Sequence, residues 1–314
     1  MSSGFVKPED KIVGGAMGEV WTRTGSNRME PHDGTSAFVA GCGMMRGNNT
    51  NGIRIGMVMR SGRIKILGVP IDDITEPEAV VLAQAMIESG GPHQICTVNP
   101  EFIMEAQRNP AFRAVLQASD LNTPDGFGVL LAARWLGTPL RGRVTGVELT
   151  LRLAALAAER GYRIFFLGAG PGVAEAAAAV LQQRWPRLQI AGCYAGSPDP
   201  ANDEEQRQII AAAQPDILLV AYGHPRQEFW IARNQPVLQI PLAMGVGGTF
   251  DYLAGRVPRA PRLLRRLGLE WAFRLVVQPA RWRRIIDAVP VFALTVVSQG
   301  RSRDKVCRSK CRQE

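Results

Sequence analysis

The stretch that decides the fold runs from residue 163 to residue 221 and reads RIFFLGAGPGVAEAAAAVLQQRWPRLQIAGCYAGSPDPANDEEQRQIIAAAQPDILLVA. Short apolar strands alternate in it with helical segments, in the order Arg163–Leu167, Val173–Arg184, Leu188–Cys193, Asp203–Ala213 and Asp216–Ala221. Strands that are apolar throughout are typical of a parallel sheet buried on both faces, and the helices supply the crossover connections. The alternation therefore predicts a doubly wound α/β fold.

The same alternation extends to both sides of this stretch. The predicted strands are Ile64–Val69, Gln94–Val98 and Gln239–Gly245, and the predicted helices are Glu76–Ser89, Phe127–Leu136, Gly146–Arg160 and Gln227–Arg233. Beyond Leu263 the pattern is only helical, amphipathic and rich in arginine. We therefore expect a Rossmann-like, mostly parallel α/β body at residues 63–255 and an Arg-rich helical appendage at residues 256–298.

The two ends of the chain differ from this body. Residues 1–62 hold 12 of the 33 glycines and 7 of the 10 methionines, with little apolar periodicity. We expect this segment not to pack into the core, and either a disordered arm or a start codon assigned too early explains it. Residues 299–314 form a short basic tail.

The charge distribution predicts an anionic partner. Of the net charge of +9, most lies between Arg256 and Arg284, where nine arginines face one acid, Glu270, and no lysine occurs. A localised excess of this kind suits nucleic acid, a membrane surface or a phosphorylated ligand.

Composition excludes several other classes. With 46% hydrophobic and 21% charged residues the chain is not wholly disordered. No uncharged apolar run reaches the roughly 18 residues that a membrane-spanning helix needs. Five scattered cysteines without a Cys-x-x-Cys pair predict free thiols in a reducing compartment, and three histidines argue against a multi-histidine metal site.

A glycine-rich loop, Gly168-Ala-Gly170-Pro-Gly172, follows the predicted strand at 163–167. A dinucleotide site requires the spacing Gly-x-Gly-x-x-Gly and an acid at the end of the next strand, and both are missing. A tight strand-to-helix turn is the preferred interpretation, although the start of the helix also suits a phosphate.

Ligands of open α/β sheets bind beyond the carboxyl ends of the strands, and two further polar motifs are candidates for such a site. Thr97-Val-Asn99-Pro100 ends the predicted strand Gln94–Val98, and Thr123-Pro-Asp125-Gly126 precedes Arg143-Val-Thr145-Gly146. Asn99 is either a ligand-binding residue or a helix cap. Asp125 is either a reactive carboxylate or a plain turn residue, and the residues alone leave both open.

The last two strands also end in loops with functional character. Tyr222-Gly223-His-Pro-Arg-Gln227-Glu228 carries many hydrogen-bonding side chains, and Gly245-Val-Gly247-Gly248-Thr-Phe-Asp251 allows a close backbone approach to a ligand. We expect Asp251 to accept hydrogen bonds from a ribose or a base edge.

The ordered set of these motifs resembles the WecG/TagA/CpsF family of bacterial glycosyltransferases (glycosyltransferase family 26). The likeness covers about Ile64 to Val297. Its matching segments are Thr97-Val-Asn99, Pro124-Asp125-Gly126, Arg143-Val-Thr-Gly146, Gly223-His-Pro-Arg-Gln227-Glu228, Gly245-Val-Gly-Gly-Thr-Phe-Asp251, Arg259-Ala-Pro and Glu270-Trp271 with Arg274, Pro279, Arg281 and Arg284. The one departure is Arg226, where the family usually has lysine.

The resemblance implies an enzyme that moves a hexosyl or N-acetylhexosaminyl group from a UDP-sugar to a polyprenyl-diphosphate-linked saccharide, at the cytoplasmic face of the bacterial plasma membrane. N-acetylmannosamine, its uronic acid and glucose are the sugars that such enzymes transfer, in teichoic acid, common antigen or exopolysaccharide synthesis. The reaction is expected to invert the anomeric centre without metal or cofactor, on a protein that binds the membrane surface peripherally. A homo-oligomer is left open.

The resemblance also implies roles for residues. It makes Asp125 the catalytic base and places Thr97, Arg143 and Gln227 in the same pocket. It assigns the diphosphate or lipid to Arg274, Arg281 and Arg284, with which we group Arg259. We expect substrate binding by Asn99, Gly223, Gly245, Gly247, Gly248 and Asp251.

The chemistry agrees with these roles. An inverting displacement needs one general base, and the chain contains no Asp-x-Asp motif for a metal, so arginine forks are expected to stabilise the diphosphate. Two alternatives come from other classes. An NAD-dependent oxidoreductase lacks its ribose-binding acid, and a basic nucleic-acid-binding protein lacks a recognisable binding motif, so we expect no nucleic-acid partner.

Overall fold

The computed structural model of the protein describes residues 62–299, except residues 262, 265, 266, 278, 280 and 281. The side chains of Arg274 and Arg284 also lie outside this description. The predictions for residues 1–61, for the tail 300–314 and for Arg281 therefore fall outside the described residues.

The described chain begins with an antiparallel hairpin of β1 (Arg63–Ile66) and β2 (Val69–Asp72). The prediction of a single strand over Ile64–Val69 is therefore wrong. Leu67 and Gly68 adopt positive φ values of 48° and 80° and reverse the chain in the middle of the apolar run. Arg63 closes the hairpin by donating from Nε to Oδ1 of Asp72 at 2.7 Å.

Six parallel strands form the main sheet, in the spatial order β4-β3-β8-β7-β5-β6. They are β3 (His93–Val98), β4 (Leu121–Pro124), β5 (Arg163–Gly168), β6 (Gln189–Tyr194), β7 (Ile217–Ala221) and β8 (Leu242–Gly245). The structure confirms the predicted doubly wound, parallel α/β class. Because all six strands run in the same direction, their carboxyl ends, and the motifs that follow them, share one edge of the sheet.

Nine α-helices belong to the described body: α1 (Glu76–Ser89), α2 (Pro100–Arg108), α3 (Pro110–Ala118), α4 (Phe127–Trp135), α5 (Gly146–Arg160), α6 (Val173–Arg184), α7 (Asp203–Ala213), α8 (Arg226–Leu238) and α9 (Thr249–Leu253). The bounds of α1 and α5 are those predicted. A short 3₁₀ turn, Pro200–Asn202, precedes α7. Helices α2 and α3 and strand β4 were not predicted.

The sheet is buried on both faces, as its apolar strands require. Neighbouring residues of β5 belong to different core clusters: Phe166 packs with Phe250 of α9, and Phe165 belongs to the cluster that holds Trp230 of α8. Each of these rings is at most 1% exposed. Alternation along β5 therefore directs successive side chains to opposite layers of helices.

The C-terminal segment is helical, as predicted. Helix α10 (Glu270–Val277) is followed by α11 (Trp282–Ile286), which continues through a π-helical turn at Asp287–Val291 and on to residue 299. Phe292 and Val296 are buried in the same cluster as Phe102 of α2. Arg108 pairs with Asp287 at 2.7 Å. The segment therefore packs directly on the α/β body. Within the described residues, none of the helices combines the length and the apolar character that crossing a bilayer would demand.

Candidate active site

Asp125 is held where the carboxyl ends of β3 and β4 meet. Its backbone N–H donates to the carbonyl of Val98 at the end of β3, at 2.8 Å. Its Oδ2 accepts from the backbone N–H of Gly146, the first residue of α5, at 3.4 Å. The partial positive charge of a helix N-terminus favours a carboxylate at this position.

Thr97 lies beside the same helix start. A Cβ on Gly146 would stand 3.3 Å from Oγ1 of Thr97, so glycine lets α5 begin against this side chain. Thr145 caps α5, because its Oγ1 accepts from the N–H of Glu148 at 3.2 Å. The structure therefore brings Thr97, Asp125 and the N-terminus of α5 together.

A cleft of about 750 Å³ opens beside Asp125. Its polar and charged lining comes from Asn99, Glu101, Asp125, Arg134, Arg143 and Glu270. The rest of its lining is largely apolar and comes from α4 and the C-terminal helices, with Phe127, Leu131, Trp135, Trp271, Ile285, Val289, Phe292 and Val296. The volume is that of a small-molecule site, and the lining suits a ligand with one polar and one apolar part.

Arg143 supplies the cleft with a positive charge. The residue is partly buried, and within the described part of the chain its guanidinium makes no hydrogen bond or ion pair that would occupy its donors. Because a guanidinium binds phosphate and carboxylate groups through two parallel N–H donors, Arg143 is suited to an anionic ligand.

Asn99 also lines the cleft, and it caps α2. Its Oδ1 accepts from the N–H of Phe102 at 3.1 Å, so the capping interpretation of this residue is what the geometry supports. A contact with substrate through its amide nitrogen stays a prediction.

Gln227 lies behind the loops that follow β7 and β8 and does not line the cleft. Its side chain is 2% exposed. Its Oε1 accepts from the backbone N–H groups of Gly223 at 3.0 Å and Gly247 at 2.9 Å, and its Nε2 donates to Oε1 of Glu228 at 2.7 Å. The structure therefore assembles Gln227, Gly223 and Gly247 with one another and not with Asp125.

Gly245 is required by the same cluster. A Cβ at this position would lie 2.5 Å from both Nε2 of Gln227 and Oε1 of Glu228, two buried atoms. Gly248 differs, because an added Cβ there would meet only Oδ2 of Asp251, at 3.9 Å.

This contrast gives a matched pair of variants. We expect Gly245→Ala to destabilise the protein by about 2 kcal/mol, the cost of overpacking a closed site, which lowers Tm by roughly 5 °C. We expect Gly248→Ala to leave Tm within about 1 °C, since its φ of −78° suits alanine. Thermal unfolding followed by circular dichroism measures both, and equal Tm values for the two variants would contradict the close contact at Gly245.

Two other predicted residues lie apart from the cleft lining. Asp251 is in α9, and its carbonyl accepts from the N–H of Arg256 at 2.9 Å. Arg259 donates from Nη2 to Oε1 of Glu148 in the first turn of α5, at 3.2 Å. This ion pair occupies part of the Arg259 guanidinium within the protein, so its assignment to the diphosphate stays a prediction. The side chains of Arg274, Arg281 and Arg284 are outside the described residues.

The loop after β5 is a tight turn, which is the interpretation that the sequence favoured. Gly168 has a φ of 100°, and a Cβ there would lie 2.9 Å from the carbonyl carbon of Ala221. Arg256 donates from Nη2 to the carbonyl of Pro171 at 3.4 Å. Packing within the protein therefore accounts for the first glycine of this motif.

Glu228 also lies near the carboxyl-end edge of the sheet, and our sequence analysis assigned no role to it. It is 0% exposed, and burial raises the pKa of its carboxyl from 4.5 to about 7. The signal in the sequence was an acid directly before the apolar run Phe229, Trp230 and Ile231. The sequence placed the appendage at residues 256–298 at the active site or the membrane through its arginines, and the apolar wall that its last helices contribute was not predicted.

Comparison with known proteins gives one family. The model of the family described as "Glycosyl transferase WecG/TagA/CpsF family" matches residues 64–306. The chain is similar to curated proteins named N-acetylglucosaminyldiphosphoundecaprenol N-acetyl-beta-D-mannosaminyltransferase. It is 37% identical to that of Bacillus spizizenii over 67% of this chain and 81% of the relative. It is 34% identical to that of Bacillus subtilis over 67% and 80%, and 31% identical to that of Staphylococcus aureus over 77% and 94%.

Proposed function

Because the chain belongs to the WecG/TagA/CpsF family of glycosyltransferases, we propose that it transfers N-acetylmannosamine from a UDP-sugar to a polyprenyl-diphosphate-linked N-acetylglucosamine, with inversion and without a metal ion. The curated relatives carry this sugar and this acceptor in their names. The product belongs to the synthesis of a cell-surface polysaccharide. The uronic acid of N-acetylmannosamine and glucose are the alternative sugars.

One observation carries the proposal: Asp125 and Arg143 line one cleft whose lining combines charged and polar groups with large apolar side chains. The acceptor combines the same two kinds of group, with a sugar and a diphosphate at one end and an isoprenoid chain at the other. The charged and polar groups suit the sugar and the diphosphate, and the apolar side chains of α4 and the C-terminal helices suit the first part of the lipid.

The proposed reaction is a single displacement. The Asp125 carboxylate takes the proton of an acceptor hydroxyl while the hydroxyl oxygen attacks the anomeric carbon of the donor. The bond from that carbon to the diphosphate oxygen breaks, and UDP leaves with the electron pair. Attack opposite to the leaving group inverts the anomeric centre, so one carboxylate is enough.

Arginine side chains are proposed to stabilise the charge that develops on UDP. Arg143 has guanidinium donors directed to no other group within the described residues, and the appendage supplies Arg274, Arg281 and Arg284 from the sequence. The sequence contains no Asp-x-Asp motif of the kind that holds a metal ion in many glycosyltransferases. Guanidinium groups can stabilise a diphosphate through bidentate hydrogen bonds.

We also propose that the protein works at the inner face of the plasma membrane. Large apolar side chains are exposed on α4 and the C-terminal helices, with Leu131 at 54%, Trp135 at 60%, Trp271 at 39% and Trp282 at 49%. Arg283 lies over the ring of Trp282, its guanidinium carbon 5.3 Å from the ring centre. Tryptophan next to arginine suits the interface of an anionic membrane.

The test is a donor panel. The purified protein is supplied with UDP-N-acetylmannosamine, its uronic acid or UDP-glucose, together with a short-chain lipid-diphosphate N-acetylglucosamine, and UDP release is measured. We expect N-acetylmannosamine to be transferred fastest, and we expect proton NMR of the product to show an inverted anomeric centre. Absence of transfer with all three donors would contradict the proposed function, and retention of configuration would contradict the single displacement.

A further inference from the structure

Glu228 is a fully buried carboxyl that the proposed reaction does not use. It lies in the first turn of α8, with Oε1 accepting from Nε2 of Gln227 at 2.7 Å. Its Oε2 has no hydrogen-bond partner within the described part of the chain. Burying an acid with one oxygen unpaired costs free energy. The hydrogen bond of the other oxygen to Gln227 therefore needs a structural or functional explanation.

The paired oxygen decides which way the Gln227 carboxamide points. An amide side chain has one accepting end and one donating end. With Nε2 directed to Glu228, the oxygen faces two backbone donors, the N–H groups of Gly223 and Gly247. The reverse orientation would place the amide N–H groups against these donors. Glu228 therefore fixes the only orientation in which Gln227 joins the two loops.

These loops lie where a ligand of this fold is expected. The connection from β7 leads to β8 on one side of the sheet, and the connection from β5 leads to β6 on the other. Strands β5 and β7 are neighbours, so the crevice beyond their carboxyl ends is a point where the direction of the connections reverses. Gly223 follows β7 at this crevice, and Gly247 follows the adjacent β8.

We propose, building on the proposed function, that Glu228 is a positioning residue: it orients the Gln227 carboxamide, which holds the Gly223 and Gly247 loops in the arrangement that binds the nucleotide-sugar donor. Glu228 acts through Gln227 and contacts no substrate itself. This role requires a hydrogen-bond acceptor at residue 228 and does not require a negative charge.

The surroundings favour the neutral acid at this position. Burial raises the pKa of Glu228 to about 7, and burial together with the charge of Glu228 raises the pKa of the buried Cys96 thiol of β3. On α7 and α8, Asp203 is paired with Arg233.

Two other cationic groups near these elements have partners. Arg207 donates to Asn234, and His224 in the loop itself lies 3.5 Å from the Glu101 carboxylate. Arg226, the first residue of α8, is exposed, and burial is the main cause of the raised pKa of Glu228.

The raised pKa of Glu228 makes the free energy of unfolding depend on pH. The folded protein keeps the Glu228 proton up to about pH 7, whereas the unfolded chain loses it near 4.5. The contribution of Glu228 to stability is therefore largest at low pH and declines as the pH rises from about 4.5 to about 7. Ionisation keeps the acceptor in place, because a carboxylate oxygen accepts the hydrogen bond from Gln227 at least as well as a neutral acid does.

The primary experiment is NMR on labelled protein. Carbonyl-¹³C tyrosine combined with ¹⁵N glycine gives one selected amide signal, that of Gly223, because Tyr222-Gly223 is the one Tyr-Gly pair in the sequence. We expect the Gly223 signal of Glu228→Gln to stay close to that of the wild type and the signal of Glu228→Leu to move clearly from it, because only leucine removes the acceptor that orients Gln227. An unmoved signal in Glu228→Leu, or equal displacement in both variants, would overturn the proposal.

Kinetics form the second arm. Glu228→Leu removes the acceptor, and we expect kcat/KM for the UDP-sugar to fall about tenfold with the KM of the lipid acceptor within about twofold. Glu228→Gln retains an acceptor, and we expect its kcat/KM to stay within about threefold of the wild-type value. Equal losses in both variants would contradict a positioning role.

A matched control separates this role from general destabilisation. Asn234→Leu replaces another fully buried polar side chain of α8, which donates to the carbonyl of Trp230 and not to the loops. We expect it to lower stability without moving the Gly223 signal. The NMR arm needs no substrate, so it decides the role of Glu228 in the loops even if the donor panel shows no transfer.

Discussion

Asp125→Asn is expected to lower kcat for sugar transfer by about 10²–10⁴-fold, the range of a lost general base. Asparagine has the same shape and can still accept the hydrogen bond from the Gly146 N–H, so the loop after β4 should keep its structure. It cannot take the proton of the attacking hydroxyl. We therefore expect the dissociation constant of UDP to change by less than about threefold, measured by calorimetry beside the UDP-release assay.

Asp199→Asn is the control for this variant. Asp199 lies at the same edge of the sheet, beyond β6, and caps the 3₁₀ turn with Oδ1 accepting from the Ala201 N–H at 3.0 Å. Asparagine caps as well as aspartate, so stability and turnover should be preserved. Normal turnover in Asp125→Asn would remove Asp125 as the base, and an equal loss in Asp199→Asn would show that the substitution acts through structure.

Arg143→Gln is expected to lower kcat/KM by about 100-fold, the effect of removing one preorganised donor from a developing oxyanion. Arg143→Lys should recover part of this loss, because lysine keeps the charge and loses the paired N–H donors. Steady-state UDP release at several donor concentrations measures both variants.

Arg187→Gln is the matched control, since Arg187 is an exposed arginine and does not line the cleft. We expect its kinetics to equal those of the wild type. Wild-type kinetics in Arg143→Gln, or full recovery in Arg143→Gln on adding magnesium, would contradict the role of the guanidinium.

Helices α1, α5, α6 and α7 have the bounds that the sequence predicted, and in α1 and α5 local hydrogen bonds mark the ends. Helix α1 begins after Thr75, whose N–H donates to the Glu78 carboxylate at 2.8 Å, and ends at Gly90 in the left-handed conformation. Helix α5 has the same type of start at Thr145 and ends at Gly161. Such signals lie within a few residues of one another, so they can be recognised without knowing the fold.

Strand β4 could not be predicted in this way, because its residues, Leu-Asn-Thr-Pro, form no apolar run. Asn122 can be fully buried because its polar atoms are paired: Nδ2 donates to the carbonyl of Leu116, and Oδ1 accepts from Ser119. The contacts that define the strand are distant in the sequence: its pairing with β3, and the hydrogen bond from the Asn122 N–H to Asp72 at 2.7 Å. The hairpin of β1 and β2 was missed for a similar reason, since Leu67 is a non-glycine residue with positive φ and the turn is visible only in the pairing.

Helices α2 and α3 were missed although a local signal was present. Asn99-Pro100 and Asn109-Pro110 each place a capping side chain before a proline at the first helical position. The first of these was interpreted mainly as the end of a strand.

The sequence predicted that the site lies at the carboxyl-end edge of the sheet. It did not predict the direction in which each side chain points. Asp125 and Arg143 do line one cleft, as the family resemblance implied. Gln227 was expected in the same pocket, but the start of α8 turns it toward the backbone of Gly223 and Gly247. The apolar wall depends on how residues 282–299 pack on α2, which no local pattern specifies.

Turnover in the presence of EDTA tests the central claim most directly, which is that arginine side chains stabilise the departing UDP while Asp125 takes the proton of the acceptor. The assay uses the donor that is fastest in the panel, the lipid-diphosphate acceptor and protein freed of metal by dialysis. We predict that kcat stays within about twofold when EDTA is added and when magnesium or manganese is then supplied in excess. Loss of turnover in EDTA that either metal ion restores would contradict this account.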